Sequence, residues 1–210
     1  MKENKFWDFI KTLLLVTAAT LILAFAVCCY IYAGYGGDSA SVFLEGLTVA
    51  LGIKLGTASL IYGISFLILD FFISRKNIGW ATIINSFLLS PCVFLIEWLL
   101  KPFFTCSDHI VFKITLLAGG IFFVAVSCVM LIRVNRGKNA LDAVAWGLAD
   151  KTKIPYRFTR IAVDAIMMLA GWLMGGVVGF GTVAAVVLTG PAIQFFNNLY
   201  GKMIGEKQEK

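Results

Sequence analysis

Gly179-Phe-Gly-Thr182, an apolar run and then Gly190-Pro191 make up the last apolar segment of the chain. A hundred residues earlier the chain reads Gly79-Trp-Ala-Thr82, an apolar run and then Ser90-Pro91. Gly79 and Gly179, Thr82 and Thr182, and Pro91 and Pro191 all keep one offset. Three matches at one offset, in similar surroundings, argue for an internal repeat. The repeat extends upstream. Asp38-Ser-Ala-Ser-Val-Phe-Leu-Glu-Gly46-Leu47 aligns with Asn139-Ala-Leu-Asp-Ala-Val-Ala-Trp-Gly147-Leu148 at an offset of 101. Apolar segments precede both, at 10–33 and 112–133. The chain therefore divides into a first membrane repeat, 1–104, a second, 105–204, and a tail, 205–210. Each repeat has the order long apolar helix, short helix, long apolar helix, Gly-Thr helix.

Composition sets the class. The 210 residues are 60% hydrophobic and 14% charged, with a mean hydropathy of +0.88. A soluble domain carries about 25% charged residues. This chain has too little polar surface to cover a globule, so it reads as an all-α, polytopic membrane protein. Six segments are expected to cross the bilayer: 12–33, 55–73, 82–100, 110–132, 155–175 and 181–200. At about 1.5 Å per residue each approaches or exceeds the ~30 Å hydrocarbon core. Segments 39–52 and 139–151 are too short and should be interfacial or re-entrant. Asn139 suits an N-cap, and Pro155 a first helical position. Lys101-Pro102 should stop the third span. Ala33-Gly34 could pass as a signal-peptide cleavage site, but the first apolar run exceeds the usual ~7–15 residues, and its repeat partner cannot be a signal. The tail Glu206–Lys210 should be disordered.

Charge placement orients the spans. With a cytoplasmic N-terminus, Lys2, Lys5, Lys11, Arg75, Lys76, Arg133, Arg136, Lys138, Lys151, Lys153, Arg157, Arg160, Lys202, Lys207 and Lys210 fall on the inner side. Only Lys54, Lys101 and Lys113 fall outside. This is a strong positive-inside bias and puts both termini in the cytoplasm. The formal net charge of +6 then reads as topology and contact with anionic lipid headgroups, not as nucleic-acid binding. Three spans per half is odd, so the halves insert with opposite orientation. The result is a 3+3 inverted repeat, a plan of many secondary transporters.

The sharpest chemistry is Arg160 with Asp164. Asp164 lies nine residues past Pro155, about 13 Å along a helix, near mid-membrane. A charge there is costly and by default functional, with a named partner. Arg160, one turn back, is that partner. The face continues to Gly171-x-x-x-Gly175, which lets another helix approach. A second polar stripe, Thr82, Asn85, Ser86, Ser90 and Glu97, runs along the third span. Arg160, Asp164, Thr82, Asn85, Ser86 and Thr182 form the candidate substrate or coupling-ion set. Two plain readings stand beside it: a tethering ion pair, and hydroxyls that join helices. Gly79, Gly179, Gly181, Pro91 and Pro191, with Gly171 and Gly175, are expected to be structural, giving tight helix starts and kinks. Asp70 should pair locally with Ser74, Arg75 or Lys76, or snorkel. Gln194, Asn197 and Asn198 should be interfacial.

Other chemistry is thin. One histidine, His109, cannot build a metal cluster, and no Cys/His/carboxylate set has ligand spacing. A Cys29–Cys106 disulfide on the outer side fits the topology but has no further support. There is no P-loop and no Ser/His/Asp arrangement. No metal, cofactor or enzymatic activity is expected.

The second half, Ala140-Leu-Asp142…Gly147-Leu…Arg160-Ile-Ala-Val-Asp164…Gly171-Trp-Leu-Met-Gly175-Gly176…Gly179-Phe-Gly-Thr182…Gly190-Pro191, resembles the bacterial YczE/YyaS/YitT group of small membrane proteins. The first half matches more loosely, with Ala81 in place of the motif glycine and Ser90 before Pro91. The resemblance implies a multi-span protein of the bacterial inner membrane, and carries no substrate or catalytic residue. Three function classes follow: a small-solute or ion transporter with its site between the repeats, a substrate-binding membrane subunit of an ATPase-driven uptake system, and a non-transporting scaffold or accessory protein. The second is weakened because Thr17–Ala26 lacks the Ala-x-x-x-Ala contact motif of such subunits. A homodimer is left open.

Overall fold

The computed structural model describes residues 2–73, 79–104, 109–134 and 139–204. Among the described residues the chain forms eight helices and no strand: α1 (Lys2–Ala33), α2 (Ser39–Leu51), α3 (Leu55–Ile73), α4 (Trp80–Phe104), α5 (Ile110–Val134), α6 (Ala140–Thr152), α7 (Tyr156–Leu173) and α8 (Phe180–Ile204). Arg75, Lys76, Cys106, Arg136, Lys138 and the tail 205–210 lie outside the described residues.

Five helices are long and apolar enough to cross a membrane, within Phe9–Ala33, Leu55–Ile73, Trp80–Phe103, Ile110–Ile132 and Phe180–Tyr200. The expected count was six. The segment 155–175 is helical as α7, but its 18 residues carry Arg157, Arg160 and Asp164. Those charges take it out of the purely apolar class. Its buried residues, Thr159, Val163, Met167 and Gly171, keep to one stripe at four-residue spacing.

Local chemistry explains most boundaries. Asp38 caps α2, its carboxylate accepting from Ser41 N at 3.0 Å. Asn139 occupies the same place before α6 but makes no side-chain cap bond. Pro155, expected as the first helical residue, sits instead at the N-cap of α7, one place before Tyr156. Lys101-Pro102 does not stop α4, which continues to Phe104 with both Pro91 and Pro102 inside it. Pro102 falls in the last turn, where its missing N–H removes one bond, back to the carbonyl four residues earlier. In both Gly-Thr starts the same bonds recur. Thr82 N and Ile83 N donate to Gly79 O, at 3.1 and 3.3 Å; Thr182 N and Val183 N donate to Gly179 O, at 3.0 and 3.4 Å. The two segments that carry the motif share one way of starting a helix.

α1 and α5 pack along each other at the centre. Ser127 Oγ donates to Ala19 O at 2.8 Å, and the Phe25 and Phe123 rings meet edge to face at 5.0 Å. Ala19, Ala24, Ala26 and Cys28 of α1 have no exposed surface. Small residues of this kind let helices approach where lipid offers no hydrophobic drive for association. Around this pair, α4 packs on α1 and α8 on α5. α2 packs on α7, α3 on α6, and each short helix also packs on the long helix that follows it. α3 lies against α4 as well, whereas α7 and α8 share no contact of similar extent among the described residues.

Candidate functional site

Arg160 stands between two carboxylates. Its Nε donates to Asp164 Oδ2 at 2.8 Å, and its Nη1 donates to Asp142 Oδ1. Asp164 Oδ1 also accepts from Ser39 Oγ at 2.5 Å. Asp142 Oδ1 accepts from Tyr156 OH at 2.9 Å, and the Tyr156 ring stacks on Trp146 with centroids 4.4 Å apart. The charged side chains are 31% (Arg160), 31% (Asp142) and 28% (Asp164) exposed. They are neither buried nor free on the surface.

The way the helices meet explains the cluster. Ser39 touches Asp164, and a Cβ on Gly46 would strike Gly171 O. Both pairs are 125 positions apart, so α2 and α7 run in the same direction in one register. The contact is this close because neither Gly46 nor Gly171 has a side chain; a Cβ on Gly171 would lie 2.6 Å from Val42 O. α6 runs the other way. Asp142 meets Arg160, Thr159 Oγ donates to Ala145 O at 3.0 Å, and Trp146 meets Tyr156. As the α6 number rises, the α7 number falls. The first turns of α2 and α6 therefore lie at the same level, beside Arg160 and Asp164, and the two helices run apart from there. Asp164 is the ninth of the 18 residues of α7, so that level is the middle of the helix.

Each helix N-terminus contributes about half a positive charge. The N-terminus of α2 faces Asp38 and, through Ser39, Asp164. That of α6 has Asp142 in its first turn. Three carboxylates against one guanidinium and two half-charges leave about one negative charge over. Asp38, one of the three, lies in the α1–α2 link. Burial pushes its carboxyl above the usual carboxylate range and Asp164 adds to the shift, while Ser41 and Arg160 oppose it.

Beyond α7 the chain is pinned again. Val177 N donates to Glu45 Oε2 at 2.9 Å. Gly175 takes a φ of +96°, a conformation open to glycine that ends α7. Gly181 N donates to Tyr35 O at 2.9 Å, so the link after α1 lies against the start of α8.

The other sequence-predicted residues sit elsewhere. Asn85 Oδ1 accepts from Thr20 Oγ at 2.7 Å, joining α4 to α1. Ser86 Oγ donates to Thr82 O at 2.9 Å within α4, and the Ser86 backbone closes on Gly63 of α3. Ser90 Oγ donates to Gly56 O at 2.7 Å, again between α4 and α3. Thr182 Oγ accepts from Gly179 N at 3.3 Å, at the start of α8. Pro91 and Pro191 lie inside α4 and α8. The structure thus brings Arg160 and Asp164 together with Asp142, Ser39, Tyr156 and Asp38, and gives Thr82, Asn85, Ser86 and Thr182 to helix packing and helix starts. Asp142 was readable in part, as an acid in the first turn of a repeat-defined short helix. Ser39 and Tyr156 carried no signal before the pairing of α2, α6 and α7 was known. Asp70 does not snorkel. It has no exposed surface, and neither carboxylate oxygen has a hydrogen-bond partner among the described residues. Cys29 is a free, buried thiol and not half of a disulfide.

Residues 10–198 match the Family of unknown function (DUF6198), and the chain belongs to that family. It is 20% identical over 193 residues to an "Uncharacterized protein" of Haemophilus influenzae, covering 92% of this chain and 86% of the relative. It is 23% identical over 179 residues to the "Uncharacterized membrane protein YczE" of Bacillus subtilis, covering 85% and 81%. It is 20% identical over 176 residues to the "Uncharacterized protein YyaS" of the same organism, covering 84% and 87%. The two Bacillus proteins bear out the resemblance carried by the second-half motifs, and the printed name of one makes it a membrane protein. No solved structure matches the chain.

Proposed function

We propose that this member of the DUF6198 family is a transporter of a small solute or ion. Its site would be the place where the first turns of α2 and α6 meet Arg160, Asp142 and Asp164. The observation that carries this reading is the meeting itself. Secondary transporters commonly bind at mid-membrane, between repeats, where the ends of partial helices supply fixed charge. Here Ser39 comes from the first half and Arg160, Asp142 and Asp164 from the second. The surplus of negative charge favours a cation as ligand or coupling ion, with Arg160 holding the carboxylates in place.

The helix pairings support a 3+3 inverted repeat. Exchanging α1 with α5, α2 with α6, α3 with α7 and α4 with α8 turns the α1–α4 pairing into α5–α8, and α2–α7 into α6–α3. In this reading α7 is the sixth span, tolerating its charges because Asp142 and Asp164 answer Arg160. Both termini then face the cytoplasm of a bacterial inner membrane, where the basic surplus meets anionic headgroups.

A thermal-shift screen of monovalent and divalent cations, inorganic anions and small metabolites on purified protein tests the site. A ligand that binds the native state raises the melting temperature with its concentration. The shift should vanish in the neutral triple variant Arg160→Gln, Asp142→Asn, Asp164→Asn. A ligand that stabilises the triple variant as well as the wild type would place binding elsewhere.

A further inference from the structure

Asp70 takes no part in the Arg160 cluster. It lies on α3, the repeat counterpart of α7, in the last turn, three residues before Ile73. The buried stripe of that helix runs Ser59, Tyr62, Gly63, Phe66, Asp70, so Asp70 sits where the spacing asks for an apolar residue. Tyr62 and Phe66 belong to the main hydrophobic core, and their rings lie 4.7 Å apart. Asp70 has no exposed surface, and both of its oxygens lack hydrogen-bond partners among the described residues.

The groups on the packed elements do not neutralise it. α4, which packs on this face of α3, has no charged residue before Glu97, and its first half offers only Thr82, Asn85, Ser86 and Ser90, with Cys92 just beyond. From α6 come Asp142, which is held by Arg160, Asp150, and Lys151, whose Nζ donates to Phe72 O at 3.1 Å and so caps the end of α3. α2 contributes Glu45, which is taken by Val177 N.

Among the described residues nothing would compensate an ionised carboxylate in such a place, in a medium of low polarity. The neutral acid has no such cost. A metal cation would need several oxygen ligands around it, and the stripe supplies aromatic and aliphatic neighbours instead. We propose that Asp70 is a proton-binding site, separate from the Arg160 cluster: neutral in the packed state and able to release its proton when the inner end of α3 is opened to water. It would give the chain one exchangeable proton on the helix that mirrors α7.

The test uses a hydrophobic carbodiimide, which reacts with protonated carboxyls in apolar surroundings and leaves a stable N-acylurea. Purified full-length protein in detergent is treated across pH 6 to 9 and the peptides are mapped by mass spectrometry. The adduct should appear on Asp70 at the acidic end. Above the group's midpoint it should fall about tenfold per pH unit, following the protonated fraction. Asp70→Asn should abolish that adduct and leave yield and melting temperature unchanged, since the native side chain is already neutral. Three results would overturn the proposal: no adduct on Asp70 at any pH, an adduct of constant yield from pH 6 to 9, or protection by sodium or potassium chloride at fixed pH. The second would mean an inert acid, and the third a metal-cation site. Labelling is read on the wild-type chain, so it decides even if Asp70→Asn fails to fold. It is also independent of whether the Arg160 site transports anything.

Discussion

Arg160 is useful because it is shared. One guanidinium holds Asp142 from α6 and Asp164 from its own helix, and Asp164 in turn holds Ser39 from α2. Arg160→Gln removes the charge that two carboxylates answer. Exposed ion pairs are worth up to about 1 kcal/mol, while breaking a buried one costs about 3–5 kcal/mol. With roughly three-tenths of each side chain exposed, a loss of about 1–3 kcal/mol is expected between those limits, read as a lower melting temperature in detergent. Adding Asp142→Asn and Asp164→Asn should recover most of it, because no stranded charge remains. A triple variant as unstable as Arg160→Gln alone would mean that specific hydrogen bonds, and not charge balance, hold the cluster. Asp38 adds a pH dependence. Its carboxyl is raised in the folded state, so its contribution is fully present below the unfolded value and is lost as pH rises through the folded value. Melting temperature should therefore decline across that window, and Asp38→Asn should flatten the decline. A curve unchanged by Asp38→Asn would remove Asp38 as its source.

At the scale of elements, the position of α2 rests on two glycines. Gly171→Val would drive a branched side chain into Val42 O and the Phe43 backbone, which a Cβ alone already meets at 2.6–2.7 Å. Backbone cannot step aside as a side chain can, so a cost of about 1–3 kcal/mol or more is expected. The disturbance should reach Ser39–Asp164, which is further along the same register. Gly119→Ala is the control: a Cβ there meets nothing within 4 Å, and an alanine in a helix interior should be neutral or stabilise by about 0.5–1 kcal/mol. Equal loss in both variants would show that glycine content, not the α2–α7 contact, matters. Legibility divides along this line. The long helices were plain in the sequence because an unbroken apolar run has few other fates, and the two short ones were plain because the repeat set them apart. The polar stripe of α4 was also plain as a stripe, but spacing tells which residues share a face and not what the face meets. Asn85 and Ser90 turned out to meet Thr20 and Gly56. Arg160 and Asp164 were found because they are four apart on one helix. Asp142 and Ser39 were not, because their closeness depends on how α6 and α2 dock, and the local partners expected for Asp70, Ser74, Arg75 and Lys76, lie outside the described residues.

At the scale of the whole molecule the question is which ends face which side. Leu51 and Thr152 decide it. They are 101 positions apart, at the C-terminal ends of α2 and α6, and Thr152 and the half-exposed Leu51 are both open to reagents. α2 runs from the middle of α7 toward Leu173, and α6 from the same level toward Tyr156. If α7 crosses the bilayer, the two ends must emerge on opposite faces. The basic surplus near α6, with Lys151, Lys153 and Arg157 against the lone Lys54 after α2, predicts Thr152 on the cytoplasmic side and Leu51 outside. In a chain whose native cysteines are replaced, Leu51→Cys should react with a membrane-impermeant maleimide on intact cells. Thr152→Cys should react only after permeabilisation, and a reporter fused after Lys210 should be active on the cytoplasmic side. Labelling of both cysteines from one face would show that α7 does not span. The inverted repeat would then fall, and with it the placing of Arg160 at mid-membrane. Opposite labelling with the sides exchanged would keep the repeat and overturn only the orientation drawn from charge.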